Sequence, residues 1–284
     1  MPELPEVETI KRGLENKIKG KEIKNVKVSI PKLIKEPSLV EFVEKIKDRI
    51  IKKVTRRGKY IITYLDSKEK LVIHLGMTGL LIYPYNKDNE EIMSGKIKSK
   101  HNHIIFNFTD NSQLVFNDMR RFSKVYLVSD IDKIKGLSEL GFEPLDNYFT
   151  EEAFIQILNK KKRGKIKPFL MNQKFITGLG NIYANEVLYR SGIHPLRFIS
   201  SFNKEEIKKL YQQIRVVLSE AIKLRGSTVA DEAYYDTDGR KGEFVKKLQV
   251  YGRKGKPCIK CGSIIEVIRI NGRSSFICPH CQKL

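Results

Sequence analysis

Four cysteines near the C-terminal end of the sequence constrain its folding more than any other feature. They form two Cys-x2-Cys pairs, Cys258 with Cys261 and Cys278 with Cys281, separated by sixteen residues. Each pair can bind one metal ion through two thiolates, and four sulfur ligands favour zinc in a closed tetrahedral site. The spacing therefore predicts one structural Zn²⁺, with His280 as a bystander. The alternative is a cluster of free thiols that arose by coincidence.

A β-hairpin is predicted between the two cysteine pairs. The apolar-rich runs 264–270 and 274–277 flank Asn271-Gly272. Asn-Gly is the strongest short signal for a hairpin, because both turn residues adopt positive φ. A module of this size has almost no core of its own, so the metal is expected to supply much of its folding energy. Arg273 follows the turn directly, and a guanidinium at a rigid tip suits contact with phosphate.

The charge balance of the chain indicates a polyanionic partner. Its 284 residues include 54 Lys and Arg against 33 Asp and Glu, a formal net charge of +21. Nucleic acid is the first candidate partner and an anionic membrane surface the second, while a lysine-rich proteome is the alternative explanation. No apolar run reaches the ~18 residues of a transmembrane helix. The N-terminus lacks the features of a signal peptide, so we expect a cytoplasmic protein.

The first part of the chain is predicted to be rich in strands. An apolar repeat indicates a helix over 2–19, with Pro2 and Pro5 in its first turn and Gly20 at its end. A second helix is predicted at 39–48, and a loop at the polar, Lys-rich segment 84–101. The regular spacing of the predicted strands favours a sandwich or barrel-like domain. These strands are 23–30, 59–66, 70–77, 103–109, 113–117 and 124–128.

The middle of the chain is predicted to be helical. Apolar residues recur at helical spacing over 151–161, 166–173, 182–191 and 204–225. The Gly-, Asp- and Tyr-rich segment 226–243 has no period, which predicts a mobile loop. We therefore divide the chain into domains 1–145, 146–243 and 244–284.

Several sequence blocks, taken together, resemble the formamidopyrimidine-DNA glycosylase family over essentially the whole chain. Members of this family remove oxidised purines from DNA and nick the strand. The resemblance implies a multi-domain α+β fold: an N-terminal β-sandwich flanked by helices, a central helix–two-turn–helix domain, and a C-terminal β-hairpin zinc finger. The blocks are Pro2-Glu3-Leu4-Pro5-Glu6-Val7-Glu8-Thr9, Arg57-Gly58-Lys59-Tyr60, His74-Leu75-Gly76-Met77-Thr78-Gly79, Arg120-Arg121-Phe122, Gly178-Leu179-Gly180-Asn181-Ile182-Tyr183-Ala184, Val250-Tyr251-Gly252-Arg253 and the zinc segment.

The resemblance implies that Pro2 is the nucleophile once Met1 is removed. An α-amino group has a reference pKa of about 7.7–8, so a useful fraction is neutral at cellular pH. Attack on C1′ of an extruded nucleotide gives an iminium, which acidifies the 2′ hydrogen and leads to loss of the 3′ and then the 5′ phosphate. Glu3 is implied as the general acid and base, and Glu6 as a group that holds the sugar or a water. Lys59 and Arg273 complete the catalytic set as contacts to phosphate.

The same resemblance implies a set of residues that contact damaged double-stranded DNA. Met77, Arg120 and Phe122 match the side chains that fill the gap left by the flipped nucleotide. Glycines before a helix N-terminus, here Gly178 and Gly180, let the backbone approach a phosphate. The remaining implied DNA contacts are His103, Lys167, Asn181 and, in the lesion-capping loop, Thr228.

Two other functions stay open. One is an endonuclease VIII-like lyase for oxidised pyrimidines, although that branch begins Pro-Glu-Gly-Pro-Glu and Leu4 favours the purine branch. The other is a non-catalytic zinc-ribbon DNA-binding protein, which retention of Met1 would support. In either case we expect a bacterial monomer without a nucleotide cofactor.

Overall fold

A computed structural model describes residues 1–85, 98–229 and 234–284. These residues form two compact units, each made of two chain segments. The first unit comprises 1–138 and 224–243, and the second comprises 139–223 and 244–284. The segment 224–243 therefore belongs to the strand-rich unit, while the three-domain division stays a prediction. Most of the predicted loop at 84–101 lies outside the described residues.

Nine strands of the first unit form one sheet in the order β2-β9-β5-β4-β3-β1-β7-β8-β6. All the strand pairs but one are antiparallel, the exception being β2 with β9. The strands are β1 (Glu22–Val28), β2 (Ile34–Glu36), β3 (Arg49–Arg57), β4 (Tyr60–Leu65), β5 (Lys70–His74), β6 (Gly79–Ile82), β7 (Asn102–Phe108), β8 (Gln113–Asp118) and β9 (Lys124–Val128).

The sheet encloses a large apolar core, as expected for the predicted sandwich. Strands β1 and β3 share only two paired positions, and side chains from the strands on both sides of this junction pack in one cluster. Ile73 and Val125 come from one side, and Phe106 and Phe116 from the other. Burying alternate side chains of both halves in this way removes the apolar face of each from water.

Three α-helices in the described part of the first unit accompany the sheet: α1 (Leu4–Ile18), α2 (Leu39–Ile46) and α3 (Lys135–Ser138). The apolar repeat of α1 is buried as predicted, at Val7, Ile10, Leu14 and Ile18. Three strands escaped prediction, namely β2, β3 and β6. In β3 only two of nine residues are buried, so its sequence lacks the strict alternation that marks a half-buried strand.

The second unit contains the predicted helices and the finger hairpin. The helices are α4 (Glu151–Asn159), α5 (Ile166–Leu170), α6 (Asn181–Ser191) and α7 (Lys204–Lys223), and the strands are β10 (Glu266–Ile270) and β11 (Arg273–Ile277). Asn271 and Gly272 both have positive φ, 48° and 74°, as the Asn-Gly turn predicted. Helix α6 is buried along most of its length, because it packs against both α7 and β11.

A fully buried carboxylate on α6 holds the segment that leads into the finger. The two oxygens of Glu186 accept backbone N–H bonds of 2.9–3.0 Å from Gln249, Val250 and Tyr251. Glu186 is 0% exposed, and a buried carboxylate is tolerated only when it is hydrogen-bonded. Segment 249–251 is thereby attached to α6 without regular secondary structure.

We predict that Glu186→Gln destabilises the second unit. The amide NH₂ group would face backbone N–H donors, so at least one buried donor loses its acceptor. We expect the free energy of unfolding to fall by about 1–3 kcal/mol, measured by urea denaturation followed by circular dichroism. Glu205→Gln, at an exposed position of α7, is the matched control and should change stability by less than about 0.5 kcal/mol. Equal stability of the two variants would contradict the anchoring role.

Candidate functional site

The N-terminal turn of α1 buries the residues predicted to carry the chemistry. Pro2 is buried, and Glu3 and Glu6 are 2% and 1% exposed. The backbone N–H of Glu3 donates a 2.8 Å hydrogen bond to Oε2 of Glu6. This bond satisfies one of the free N–H groups at the helix start, where a carboxylate also complements the helix dipole. Glu6 therefore orders the backbone immediately after Pro2.

The second oxygen of Glu6 attaches the same turn to a distant segment. Oε1 accepts a 2.8 Å hydrogen bond from the backbone N–H of Ser227. The preceding residue is Gly226, with φ +76°, and a Cβ built there would lie 2.5 Å from this Glu6 oxygen. Only glycine permits so close an approach with this backbone. Sequence analysis did not identify Ser227 or Gly226, whose roles depend on a contact across more than 200 residues.

The described parts of segment 226–243 are hydrogen-bonded within the first unit. The hydroxyl of Thr228 donates to the backbone oxygen of Tyr234 (2.7 Å) and accepts from the N–H of Gly242 (2.8 Å). The Tyr234 ring packs in the sandwich core, and its hydroxyl donates to the Arg225 backbone oxygen at 3.0 Å. Thr228 thus closes the base of the segment. Residues 230–233, at its tip, lie outside the described part of the chain.

Lys59 lies on a turn that is connected to α1 by a salt bridge. Nε of Arg56 is 2.9 Å from the Glu8 carboxylate, and its Nη1 donates to the backbone oxygen of Gly58 at 3.0 Å. Burial alone would raise the pKa of Glu8, but hydrogen bonds from Arg56 and Arg12 outweigh it and lower the pKa. The helix that follows Pro2 and the turn that carries Lys59 are therefore linked. Glu8 belongs to a quoted motif and Arg56 directly precedes another, yet this role was not predicted.

Two loops of the first unit expose large side chains. Met77 is 36% exposed and Phe122 is 54% exposed, whereas an apolar side chain of this size is usually buried. The guanidinium carbon of Arg120 lies 4.8 Å from the centre of the Phe122 ring, a cation–π contact. The structure therefore presents all three predicted gap-filling residues at the surface.

His103 faces inward at the base of these loops. It is 2% exposed, and its Nε2 lies 3.0 Å from the backbone oxygen of Asp118. Asp118 itself is 0% exposed, and its side chain bonds to Thr78, Ser123 and the N–H of Arg120. His103 is thus close to the predicted gap-filling residues. No role was predicted for Asp118, or for Thr78 although it lies in a quoted motif, because each has the sequence signature of an ordinary polar residue.

The structure brings Lys167 and Arg273 together in the second unit. Lys167 is 1% exposed, and its amine donates to Ser275 Oγ (2.7 Å) and to the backbone oxygen of Ser274 (3.0 Å). A surface cavity of about 230 Å³ is lined by both cationic residues together with Asn172 and the tip of the finger hairpin. Asn181 is the first residue of α6, after Gly180. These cations lie in a different unit from Pro2.

The four cysteine sulfurs lie within 4.8 Å of one another. Three of the sulfur–sulfur distances are 3.4, 3.4 and 3.9 Å, and a zinc tetrahedron with bonds of about 2.3 Å separates its sulfurs by about 3.8 Å. The backbone N–H groups of Lys260 and Cys281 point to cysteine sulfurs at 3.4 Å. The donor set therefore fits one structural Zn²⁺, as predicted. Of the described residues only cysteines form this cluster, and His280 is not among them.

His74 ends β5 just before the Met77 loop. Its Nδ1 accepts a hydrogen bond of 3.1 Å from the N–H of Gly76. Burial, together with the charges of Lys59 and Lys124, lowers the pKa of His74 to about 4. The imidazole is therefore neutral at physiological pH and supports the loop as a hydrogen-bond acceptor.

The fold and site define a class: zinc-finger proteins that combine a β-sandwich with a helix–two-turn–helix unit. Among the described residues, no helix has the length and apolarity needed to span a membrane. Three family profiles match the chain in succession. They are the formamidopyrimidine-DNA glycosylase N-terminal domain over residues 1–125, the formamidopyrimidine-DNA glycosylase H2TH domain over 140–233, and a zinc finger found in FPG and IleRS over 255–284.

Full-length relatives agree with these matches. A protein of Pelotomaculum thermopropionicum named formamidopyrimidine-DNA glycosylase is 45% identical over 286 residues, covering all of both chains. The crystal structure of the Thermus thermophilus MutM (Fpg) protein is 35% identical, covers 99% of this chain and 98% of its own, and has a TM-score of 0.87. A Lactococcus lactis Fpg mutant in complex with a Fapy-dG-containing DNA is 32% identical, covers 100% of both chains, and also has a TM-score of 0.87. The chain belongs to the formamidopyrimidine-DNA glycosylase family.

We predict that Gly76→Ala destabilises the Met77 loop far more than a comparable glycine substitution elsewhere. A Cβ at Gly76 would lie 2.7 Å from the backbone carbon of Phe122. Gly20 also has positive φ but has nothing within 4 Å of its Cβ position, so Gly20→Ala isolates the backbone strain of about 1–2 kcal/mol. Gly76→Ala should cost a further 1–3 kcal/mol, roughly, from overpacking. Equal urea midpoints for the two variants would contradict the close approach.

We also predict that His74 makes stability fall in acid. An unfolded histidine takes up a proton near pH 6.5, whereas folded His74 resists until about pH 4. Between these values the unfolded state binds more protons, so the free energy of unfolding decreases as the pH falls, by at most about 1.4 kcal/mol per pH unit. His74→Asn keeps an acceptor for Gly76 without titrating. The unfolding free energy of this variant should depend less on pH between about 4 and 6.5 than that of the wild type. Parallel plots of unfolding free energy against pH for the two proteins would disprove the role of His74.

Proposed function

We propose that this protein is a DNA repair glycosylase that excises oxidised purines from duplex DNA and then cleaves the strand at the resulting abasic site. The observation that carries the proposal is the full-length similarity to Fpg proteins solved with damaged DNA. Lactococcus lactis Fpg has been solved with an abasic-site-containing DNA, and a mutant of it with a Fapy-dG-containing DNA. The buried acidic turn after Pro2 and the exposed residues of the two loops fit this activity.

In the proposed chemistry the secondary amine of Pro2 is the nucleophile. Its lone pair attacks C1′ of the extruded nucleotide as the C1′–N bond breaks, and the base leaves with a proton. Ring opening of the sugar gives an iminium between Pro2 and C1′. We assign Glu3, the residue next to Pro2, as the general acid and base, and the Glu6 carboxylate orders the backbone at Glu3. Met1 must be removed, since an amide nitrogen has no available lone pair.

The iminium then drives strand cleavage. Loss of the 2′ hydrogen as a proton sends its electron pair toward the iminium, and the 3′ phosphate departs. A second elimination expels the 5′ phosphate, and water finally releases the sugar fragment from Pro2. We assign Lys59 to the phosphates beside the lesion, and the link from Glu8 through Arg56 to Gly58 positions the turn that carries it.

The exposed residues of the two loops are proposed to occupy the gap in the duplex. Extruding a nucleotide costs a few kcal/mol, so a wedge such as Met77 or Phe122 must replace the lost stacking. Arg120 offers donors in a rigid fork, which suits the O2 and N3 acceptors of an orphaned cytosine. Adenine would present a donor to these donors, so excision opposite adenine should be slower.

The second unit is proposed to bind the DNA backbone. We assign Arg273, at the tip of the zinc-finger hairpin, and Asn181, at the start of α6, to phosphate contacts. Lys167 was expected to contact phosphate as well, but its buried amine donates to the hairpin strand β11, so we assign it to the support of that hairpin. The net charge of +21 supports binding that weakens with salt. We place this activity in the cytoplasm, at the bacterial chromosome, because the relatives are bacterial DNA repair enzymes.

Oxidised pyrimidines are a second candidate substrate class. The observation that favours them is a complex between the wild-type Lactococcus lactis Fpg and an oxidised-pyrimidine-containing DNA, 33% identical to this chain. Side-by-side excision from 8-oxoguanine and thymine glycol duplexes decides between the classes. Leu4, where the pyrimidine branch has glycine, leads us to expect the faster excision from the 8-oxoguanine duplex.

Borohydride reduction tests the proposed mechanism. Protein with a free Pro2 amine should form a covalent complex with an 8-oxoguanine duplex, because borohydride reduces the iminium to a stable amine. Pro2→Gly should weaken nicking severely, and acetylation of the N-terminus should abolish both nicking and trapping. The matched control is acetylation of Met1 in unprocessed protein, which should change nothing because that protein is already inactive. Efficient trapping by the acetylated processed protein would refute Pro2 as nucleophile.

A further inference from the structure

One buried carboxylate connects the two loops that expose Met77 and Phe122. Asp118 ends β8, opposite Gly79 at the start of β6. Its Oδ1 accepts a 2.5 Å hydrogen bond from the Thr78 hydroxyl and a 3.2 Å bond from the N–H of Arg120. A single oxygen atom thus bonds to the neighbour of Met77 on one loop and to Arg120 on the other.

The other oxygen of Asp118 closes the second loop on itself. Oδ2 accepts from the N–H of Ser123 at 3.0 Å and lies 2.7 Å from its hydroxyl. The same hydroxyl lies 2.9 Å from the backbone oxygen of Leu75, on the first loop. Asp118 is 0% exposed, Ser123 2% and Thr78 9%, so these bonds lie in a medium where an unsatisfied carboxylate would be costly.

The bonds of Asp118 explain how exposed residues stay in place. Arg121, between Arg120 and Phe122, has a φ of +57°, which a non-glycine residue adopts only when its surroundings hold it there. Fixing large solvent-exposed side chains on a turn costs conformational entropy, so other interactions must hold the turn in place. The buried hydrogen bonds beneath the loops supply that constraint, and the contact of Arg120 with the Phe122 ring extends it to the tip.

We propose that Asp118 and Thr78 are positioning residues that make Met77, Arg120 and Phe122 enter the duplex as one preset unit. The inference rests on the proposed function, because it assumes that the loops act on DNA. Neither residue touches the reacting atoms. Thr78 carries the connection between the loops, since its hydroxyl both donates to Asp118 and lies 3.1 Å from the N–H of Arg120. The specificity for the orphaned base then depends on a hydroxyl that never meets the DNA.

The test compares Thr78→Val, which removes the hydroxyl at nearly constant volume, with Thr78→Ser, which keeps it. We expect Thr78→Val to slow single-turnover excision of 8-oxoguanine opposite cytosine by about tenfold, the factor for one hydrogen bond. The ratio of the excision rate opposite cytosine to the rate opposite adenine should also decrease. Cleavage of a preformed abasic site, which needs less extrusion, should change by less than about twofold. Thr78→Ser should behave as wild type. Ser123→Ala, which removes a bond to the other Asp118 oxygen, should repeat the Thr78→Val pattern.

A binding readout separates this inference from the proposed function. With 2-aminopurine opposite a tetrahydrofuran abasic analogue, insertion of the loops changes the fluorescence without any chemistry. Thr78→Val should reduce that change relative to Thr78→Ser. If wild type shows the fluorescence change but excises no damaged base, the proposed function fails and the positioning role can still be measured. If Thr78→Val equals wild type in fluorescence and discrimination, or slows both substrates equally, the positioning role is overturned.

Discussion

Buried carboxylates that accept backbone N–H bonds hold the irregular parts of this protein in place. Glu6 binds the N–H groups of Glu3 and Ser227, and Glu186 binds those of residues 249–251. Asp118 does the same for the turn that follows it. A carboxylate removed from water is strongly destabilising unless its lone pairs are satisfied. Each of these segments is therefore held in an arrangement that satisfies the buried carboxylate oxygens, and displacing the segment would leave them without donors.

Because of this constraint, the sheet and the loops have different structural roles. The sandwich core supplies apolar burial and a rigid frame, while the carboxylates at its edges orient the turns that carry exposed side chains and the residues predicted to be catalytic. Functional groups placed on loops need such a frame, because loops have few packing contacts of their own. In the second unit the zinc thiolates perform the equivalent task for the finger, whose hairpin has little core.

The sequence predicted those parts of the structure in which a residue type has a single physical role, such as a metal ligand, a tight turn or a buried helix face. The cysteine spacing and Asn271-Gly272 predicted the finger hairpin, and apolar periodicity predicted α1 and α7. Strand β3 could not be predicted, because its side chains are mostly polar and show no alternation. What makes it a strand is backbone pairing with β4 and β1 on either side, which its own sequence does not reveal. The roles of Thr78, Asp118 and Ser227 were equally invisible. The role of such a hydroxyl or carboxylate depends on the hydrogen-bond partner that folding brings to it from elsewhere in the chain, and the local sequence does not show that partner.

The interleaving of the two units has a consequence for biosynthesis. Glu6 and Ser227 are 221 residues apart, and a ribosome that adds about 5–20 residues per second needs roughly 10–45 s to make that stretch. During this time a nascent chain can pair the strands of the sandwich, but the N-terminal turn lacks its last hydrogen bond. Neither unit is complete until the first segment of the other has been synthesised. The N-terminal turn that follows Pro2 is therefore among the last parts of the first unit to reach its native geometry.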